Sequence, residues 1–138
     1  MNGVYKDEST SEWFFPDNSF ILSETDEKGF ILYANDLFCE VAGYNIGELL
    51  GQPHNMVRHQ DMPRIAFKGL WEDIQTKGFW TGYVKNSRKD RSCYWVYATA
   101  MRRVRSDGTI SYLSVRTKPS RADVKACITL YAELKEQE

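Results

Sequence analysis

The chain has 138 residues, 42% hydrophobic and 14% aromatic, enough to fill the core of one domain with little room for a second. Lys and Arg number 18 against 19 Asp and Glu, a formal net charge of −1, so no broad basic field argues for nucleic acid or anionic lipid. Three widely spaced cysteines, Cys39, Cys93 and Cys127, suit free thiols in a reduced cytoplasmic protein; the sequence holds no run of about 18 apolar residues, and its first residues lack the apolar core expected of a secretory signal.

Residues 1–19 are polar apart from Trp13-Phe14-Phe15 and close on the turn signal Pro16-Asp17-Asn18-Ser19, which predicts an N-terminal cap or arm. Phe20–Thr25 and Gly29–Ala34 flank the polar loop Asp26-Glu27-Lys28 and predict a hairpin. Asn35-Asp36 can cap a short helix carrying Leu37, Phe38, Val41 and Ala42, with Gly43 as its stop. Ile46–Leu50 forms another helical turn, ended by Gly51-Gln52-Pro53. Ile65, Phe67, Leu70, Trp71 and Ile74 then recur at helical spacing up to Gly78, with Asp61 as N-cap or first-turn anion and Pro63 near the first turn.

The C-terminal half changes period. Phe79–Lys85, Ser92–Val104 and Thr109–Thr117 are rich in Tyr, Trp, Val and Thr and are separated by turn-type residues, which predicts three further antiparallel strands. From Ala122 onward, Val124, Cys127, Ile128, Tyr131 and Leu134 repeat at helical intervals, predicting an amphipathic tail helix that either packs on the domain's own sheet or serves as a dimer contact or signal exit. This order predicts an α+β domain over residues 20–118, a five-stranded antiparallel sheet with helices on one side, followed by a C-terminal helix over 119–138. There is no internal repeat and no low-complexity tract.

The most informative stretch is His54-Asn55-Met56-Val57-Arg58-His59-Gln60-Asp61-Met62-Pro63, followed on one helical run by Phe67 and Trp71. Two imidazoles, a guanidinium and a carboxylate can meet the polar edge of a large ring system, while Phe67 and Trp71 offer faces to stack on it. From about Ser23 to Arg116 the chain resembles the PAS domain of bacterial aerotaxis receptors. Besides that stretch, the likeness rests on Tyr33-Ala34-Asn35-Asp36, Gly43-Tyr44, Gly51-Gln52-Pro53, Trp80-Thr81-Gly82, Val84-Lys85-Asn86, Tyr94-Trp95-Val96 and Val115-Arg116-Thr117.

The resemblance implies a PAS fold that senses rather than catalyses, with FAD held non-covalently and its redox state relayed to a signalling partner. Arg58, His59, Asp61 and Trp71 occupy positions that resemble the family's flavin-binding residues. Asn35, Asn86 and Arg116 are further candidates, because an amide offers a donor and an acceptor to the pyrimidine edge of a flavin and Arg neutralises an anionic form. Asn35 has a rival role as a helix N-cap. Trp80 stacks on a ring or is simply core, and His54 and Phe67 complete the candidate set. The chain departs from the family at Gln60, where Pro is usual, and in the Lys89-Asp90-Arg91 turn, where Gly is commoner than Arg.

The resemblance also implies a methyl-accepting-type membrane transducer or signalling domain as partner, in cis or in trans, a possible homodimer through terminal helices, and a cytoplasmic place at the inner face of the membrane. Three alternatives stay open at this level. His54, His59 and Asp61 have the ligand types of a 2-His-1-carboxylate iron site, His54 or His59 could ligate haem, and a cofactor-free PAS module could serve dimerisation. A light-driven adduct needs a cysteine over the ring, and none occurs between Gly51 and Phe79.

Overall fold

The computed structural model describes residues 3–138. Strands β1 (Tyr5–Asp7) and β2 (Glu12–Phe14) form a short N-terminal hairpin, and β3 (Ile21–Asp26) and β4 (Ile31–Ala34) a second. Helices α1 (Asp36–Ala42) and α2 (Ile46–Leu49), a single 3-10 turn (His54–Val57) and the longer α3 (Arg64–Lys77) come next. Strands β5 (Phe79–Ser87), β6 (Cys93–Val104) and β7 (Ile110–Thr117) and the tail helix α4 (Arg121–Glu136) complete the chain.

Local chemistry sets most of these boundaries. The Asn35 side chain accepts from the Phe38 amide at the start of α1, and left-handed Gly43 (φ 77°) ends that helix. Asn45 and Glu48 form a reciprocal capping box on α2, and Gly78 (φ 84°) closes α3. The start of α3 differs from expectation: Pro63 precedes the first turn, no side chain caps it, and Asp61 lies outside the helix. The Asp61 carboxylate instead accepts from Lys85 Nζ at 2.9 Å, while the Arg64 amide donates to the Glu138 carboxylate.

The sheet has seven strands rather than five. Its antiparallel body runs β5-β6-β7-β3-β4, as expected, and β2 adds by pairing Glu12 and Trp13 parallel to Cys93 and Tyr94. Apolar side chains hold this hairpin, which the polar composition of the first residues concealed. Phe15 is 1% exposed within the main core, and the Arg88 guanidinium covers the Trp13 ring at 3.6 Å.

Period-two alternation along β6 sorts its residues between two layers. Tyr94, Val96 and Ala98 face the main core with Phe38, Val41, Leu49 and Val57, under α1, α2 and the 3-10 turn. Trp95 faces the opposite way and packs with Val124 and Cys127 of α4, where Tyr131 stacks on it at 6.1 Å. The tail helix therefore lies on the domain's own sheet, opposite the other helices. All three cysteines are free, Cys127 buried and Cys39 half-buried at the edge of the core. Among the described residues no helix is long and apolar enough to cross a membrane.

Candidate cofactor site

A cavity of about 260 Å³ opens between α3, the 3-10 turn and the inner face of the sheet. Strand register decides its floor. Trp80, Val84 and Asn86 of β5 pair with Ala100, Val96 and Tyr94 of β6, and Arg116 and Ser114 of β7 pair with Ala98 and Ala100, so all present the same face. Ser23 of β3 lies opposite Ser114 and extends that face. Phe67, Leu70, Trp71 and Ile74 supply the helical wall at spacing i, i+3, i+4 and i+7.

Arg116 dominates the electrostatics. It is 5% exposed, and burial lowers its pKa to about 10, because a guanidinium loses hydration here without a carboxylate to replace it. Its Nη2 donates to Ser23 Oγ at 2.9 Å and to His54 Nε2 at 2.6 Å, and its Nη1 is buried with no protein acceptor. Accepting from a cation requires a neutral imidazole with its proton on Nδ1. Burial first, and the Arg116 charge second, hold the His54 pKa down at about 3, so the ring is neutral at ordinary pH.

Asn86, 5% exposed, lies beside the Tyr94 phenol, whose pKa burial pushes up to about 12. Arg58 bridges the Asn86 backbone, so the segment after the 3-10 turn runs along the free edge of β5. The Arg58 guanidinium sits 3.5 Å from the Phe67 ring centroid at the cavity rim, its charge weakly disfavoured by partial burial. Trp71, 44% exposed, meets Tyr112 edge-on at 5.3 Å. The indole of Trp80 lies across its own strand, over Gly82. A Cβ on Gly82 would stand 2.3 Å from that ring, so only glycine leaves the indole its place.

Of the ten residues predicted from sequence, seven line this cavity: His54, Arg58, Phe67, Trp71, Trp80, Asn86 and Arg116. Three lie elsewhere. Asn35 is spent on the backbone, its Oδ1 accepting from Phe38 and Leu22 and its amide donating to the Phe20 carbonyl at 2.8 Å. His59 Nδ1 accepts from the Asp61 amide at 3.0 Å, and its pKa is lowered by burial and by Lys85, against the pull of Asp61. The Lys85 ammonium likewise holds the Asp61 carboxyl below its ordinary pKa. Asp61 and Lys85 face a separate hollow of about 430 Å³ beneath α4, bounded by Trp95, Tyr131 and Lys135. The cause is topological: residues 59–61 pass around the edge of β5 and emerge on its far flank.

Ser23, Lys28 and Gly82 were not foreseen as site residues. A glycine inside an aromatic strand was the one signal that could have been read.

His54 is taken by Arg116, away from His59 and Asp61, and among the described residues no three His, Cys, Asp or Glu side chains converge on a point. The donor set thus lacks the convergence of an iron triad, and the His54 Nε2 that haem would need is engaged. None of the three thiols lines the cavity.

The sequence profile described as the PAS fold matches residues 31–115. Over 118 residues, 86% of this chain, the sequence is 43% identical to the aerotaxis receptor of Escherichia coli (strain K12), of which the match spans 23%. A nitrogen fixation regulatory protein of Klebsiella oxytoca is 32% identical over 78 residues, 56% of this chain and 16% of that protein. The chain thus spans less than a quarter of the length of either relative. The light-state structure of the blue-light photoreceptor Aureochrome1 LOV superposes with a TM-score of 0.68 at 23% identity, covering 80% of this chain and 89% of that one. The PAS domain of a protein from Colwellia psychrerythraea superposes with a TM-score of 0.67 at 20% identity, covering 76% and 91%.

Proposed function

The chain belongs to the PAS fold family, and on that premise we propose that it is a redox sensor domain of energy-taxis signalling that holds FAD in the cavity between α3 and the sheet. The observation that carries this reading is the buried, carboxylate-free Arg116 with its open Nη1, set among aromatic faces and one buried amide. A buried cation without a counter-charge is costly unless a ligand supplies one. A flavin's pyrimidine edge offers the acceptors that Arg116 lacks, and its tricycle offers the surface that Trp71, Phe67 and Trp80 would cover. The cavity volume lies near the lower end of the roughly 300–1,000 Å³ typical of small-molecule sites, which suits one ring system, with the rest of a dinucleotide outside.

A bound flavin supplies a reversible change of charge and proton count. The protein's part is to bind, orient and respond. Arg116 and Asn86 stand on different strands, so a changed hydrogen bond at either alters the register contacts of β5, β6 and β7. A coupling of about 1–3 kcal/mol is enough to bias a partner between two states. The 43% identity to an aerotaxis receptor supports energy taxis as the output and a membrane-bound transducer, in cis or in trans, as the partner. Within this assignment, residues 20–118 form the sensor body, residues 1–19 its cap, and α4 a contact for the partner or a second copy. Arg58, at the rim, is assigned to the ligand; His59 and Asp61 are assigned an indirect part, shaping the segment that carries Arg58.

The test is an absorption spectrum of purified protein, with the cofactor released by heat and identified by chromatography. A flavin spectrum and released FAD are expected. Trp71→Ala should lower flavin occupancy severalfold while far-ultraviolet circular dichroism stays unchanged. Folded protein that stays colourless after incubation with excess FAD would overturn the assignment.

A further inference from the structure

Every charged side chain that lines the cavity is a cation: Lys28, Arg58 and Arg116, with no Asp or Glu among the lining residues. The chain as a whole is nearly balanced, with 19 acids and 18 bases. Most of its other cations have partners, since eleven Lys and Arg side chains form ion pairs among the described residues, and none of the three at the cavity does. The positive potential of this pocket is therefore uncancelled by its own walls.

Lys28 stands in the tight turn between β3 and β4, and the turn is rigidly made. Asp26 Oδ1 accepts from the amides of Lys28 and Phe30, both at 2.9 Å, and the Gly29 carbonyl accepts from the His54 amide at 2.9 Å. One oxygen of the Asp26 carboxylate is thereby occupied by backbone donors, and the Lys28 ammonium, with exposed Glu27 beside it in sequence, forms an ion pair with neither among the described residues. The same bonds tie the turn to the 3-10 turn that leads to Arg58. Lys28 and Arg58 are both exposed, so they flank the opening, whereas Arg116 lies on the floor.

We propose that Lys28 and Arg58 form a phosphate-recognition rim, so that the site selects phosphorylated flavins over the neutral, phosphate-free riboflavin, and that Lys28 is the specificity-determining residue. This rests on the flavin assignment and goes beyond it by naming the charged group that is read outside the ring. The ribityl phosphate of a flavin whose ring occupies the cavity emerges through the opening, where the Lys28 ammonium and the Arg58 guanidinium await an anion.

The test uses the full chain, freed of cofactor and titrated with riboflavin, FMN and FAD by quenching of flavin fluorescence at low and at high salt. FMN and FAD should bind at least about tenfold more tightly than riboflavin at low salt, and the gap should narrow as salt screens the rim. Lys28→Glu, on an exposed turn whose backbone bonds it leaves in place, should weaken FAD by about three- to tenfold and leave riboflavin unchanged. Equal affinity for all three flavins, or an equal loss for riboflavin and FAD in the variant, overturns the rim and leaves the flavin cavity standing. Failure of every flavin to bind overturns the cavity assignment itself, and the rim with it.

Discussion

Replacing Arg116 by Met separates what the fold needs from what a ligand needs. Burial lowers the Arg116 pKa from its ordinary 12.5 to about 10, so carrying the charge costs the folded protein about 3 kcal/mol. For a base whose folded pKa is depressed, this cost applies at every pH below the folded value, and it is therefore complete at neutral pH. Met keeps most of the volume and the contact with Phe38. The change removes two hydrogen bonds donated by a cation, to Ser23 and His54, worth about 1.5 kcal/mol each. Ser23 Oγ already lies 3.2 Å from His54 Nε2 and can satisfy it. The two contributions nearly cancel, so ligand-free protein should change in stability by no more than about 0.5 kcal/mol, a Tm shift of at most about 3 °C, together with at least a tenfold loss of FAD affinity. Urea titration of flavin-free protein and a flavin titration measure the two effects. A ligand-free variant less stable than the parent by about 1 kcal/mol or more would show that the guanidinium holds the fold together rather than waiting for an anion.

Three further outcomes follow from single contacts. His54 binds a proton in the unfolded chain near pH 6.5 but in the fold only near pH 3, so stability should fall as pH drops through that window, by up to about 1.4 kcal/mol per pH unit. Urea midpoints between pH 7 and 4.5 check this, and His54→Gln should flatten the slope, leaving the smaller share that His59 contributes in the same direction. Gly82→Ala should displace the Trp80 indole, shift the tryptophan emission and reduce flavin occupancy; an unchanged emission spectrum would contradict the 2.3 Å clash. Arg91 has a left-handed backbone (φ 72°) in the β5–β6 turn, so Arg91→Gly should stabilise the domain by about 0.5–1 kcal/mol, read from the denaturation midpoint.

That turn illustrates how far local sequence carries. A left-handed position suits Gly, and this chain holds the conformation with Arg at a cost. The same local logic made the helix stops at Gly43 and Gly78 legible, and the capping of α1 by Asn35, which removes Asn35 from the site. Asn86 and Arg116, thirty residues apart, were named together through the resemblance and the chemistry of an amide and a guanidinium; that they share a face follows from the register of β5, β6 and β7. The N-terminal hairpin was missed because three-residue strands carry no periodicity; Trp13 and Phe15 reveal their role only through the Arg88 and core contacts they meet.

Residue order thus determined the α+β plan, the five-strand body and most helix boundaries, since each depends on contacts within a few residues or on strict alternation, while the candidate site residues were named through the resemblance. Tertiary structure decided how that inventory divides. His54 and Arg58 turn toward the cavity while His59 and Asp61 pass around the free edge of β5 to meet Lys85, a partition invisible in a contiguous motif. It likewise decided that Arg116 has no counter-charge and that the charged groups lining the cavity are all cations, because neutralisation depends on which side chains approach through space, and neighbours in sequence do not record that.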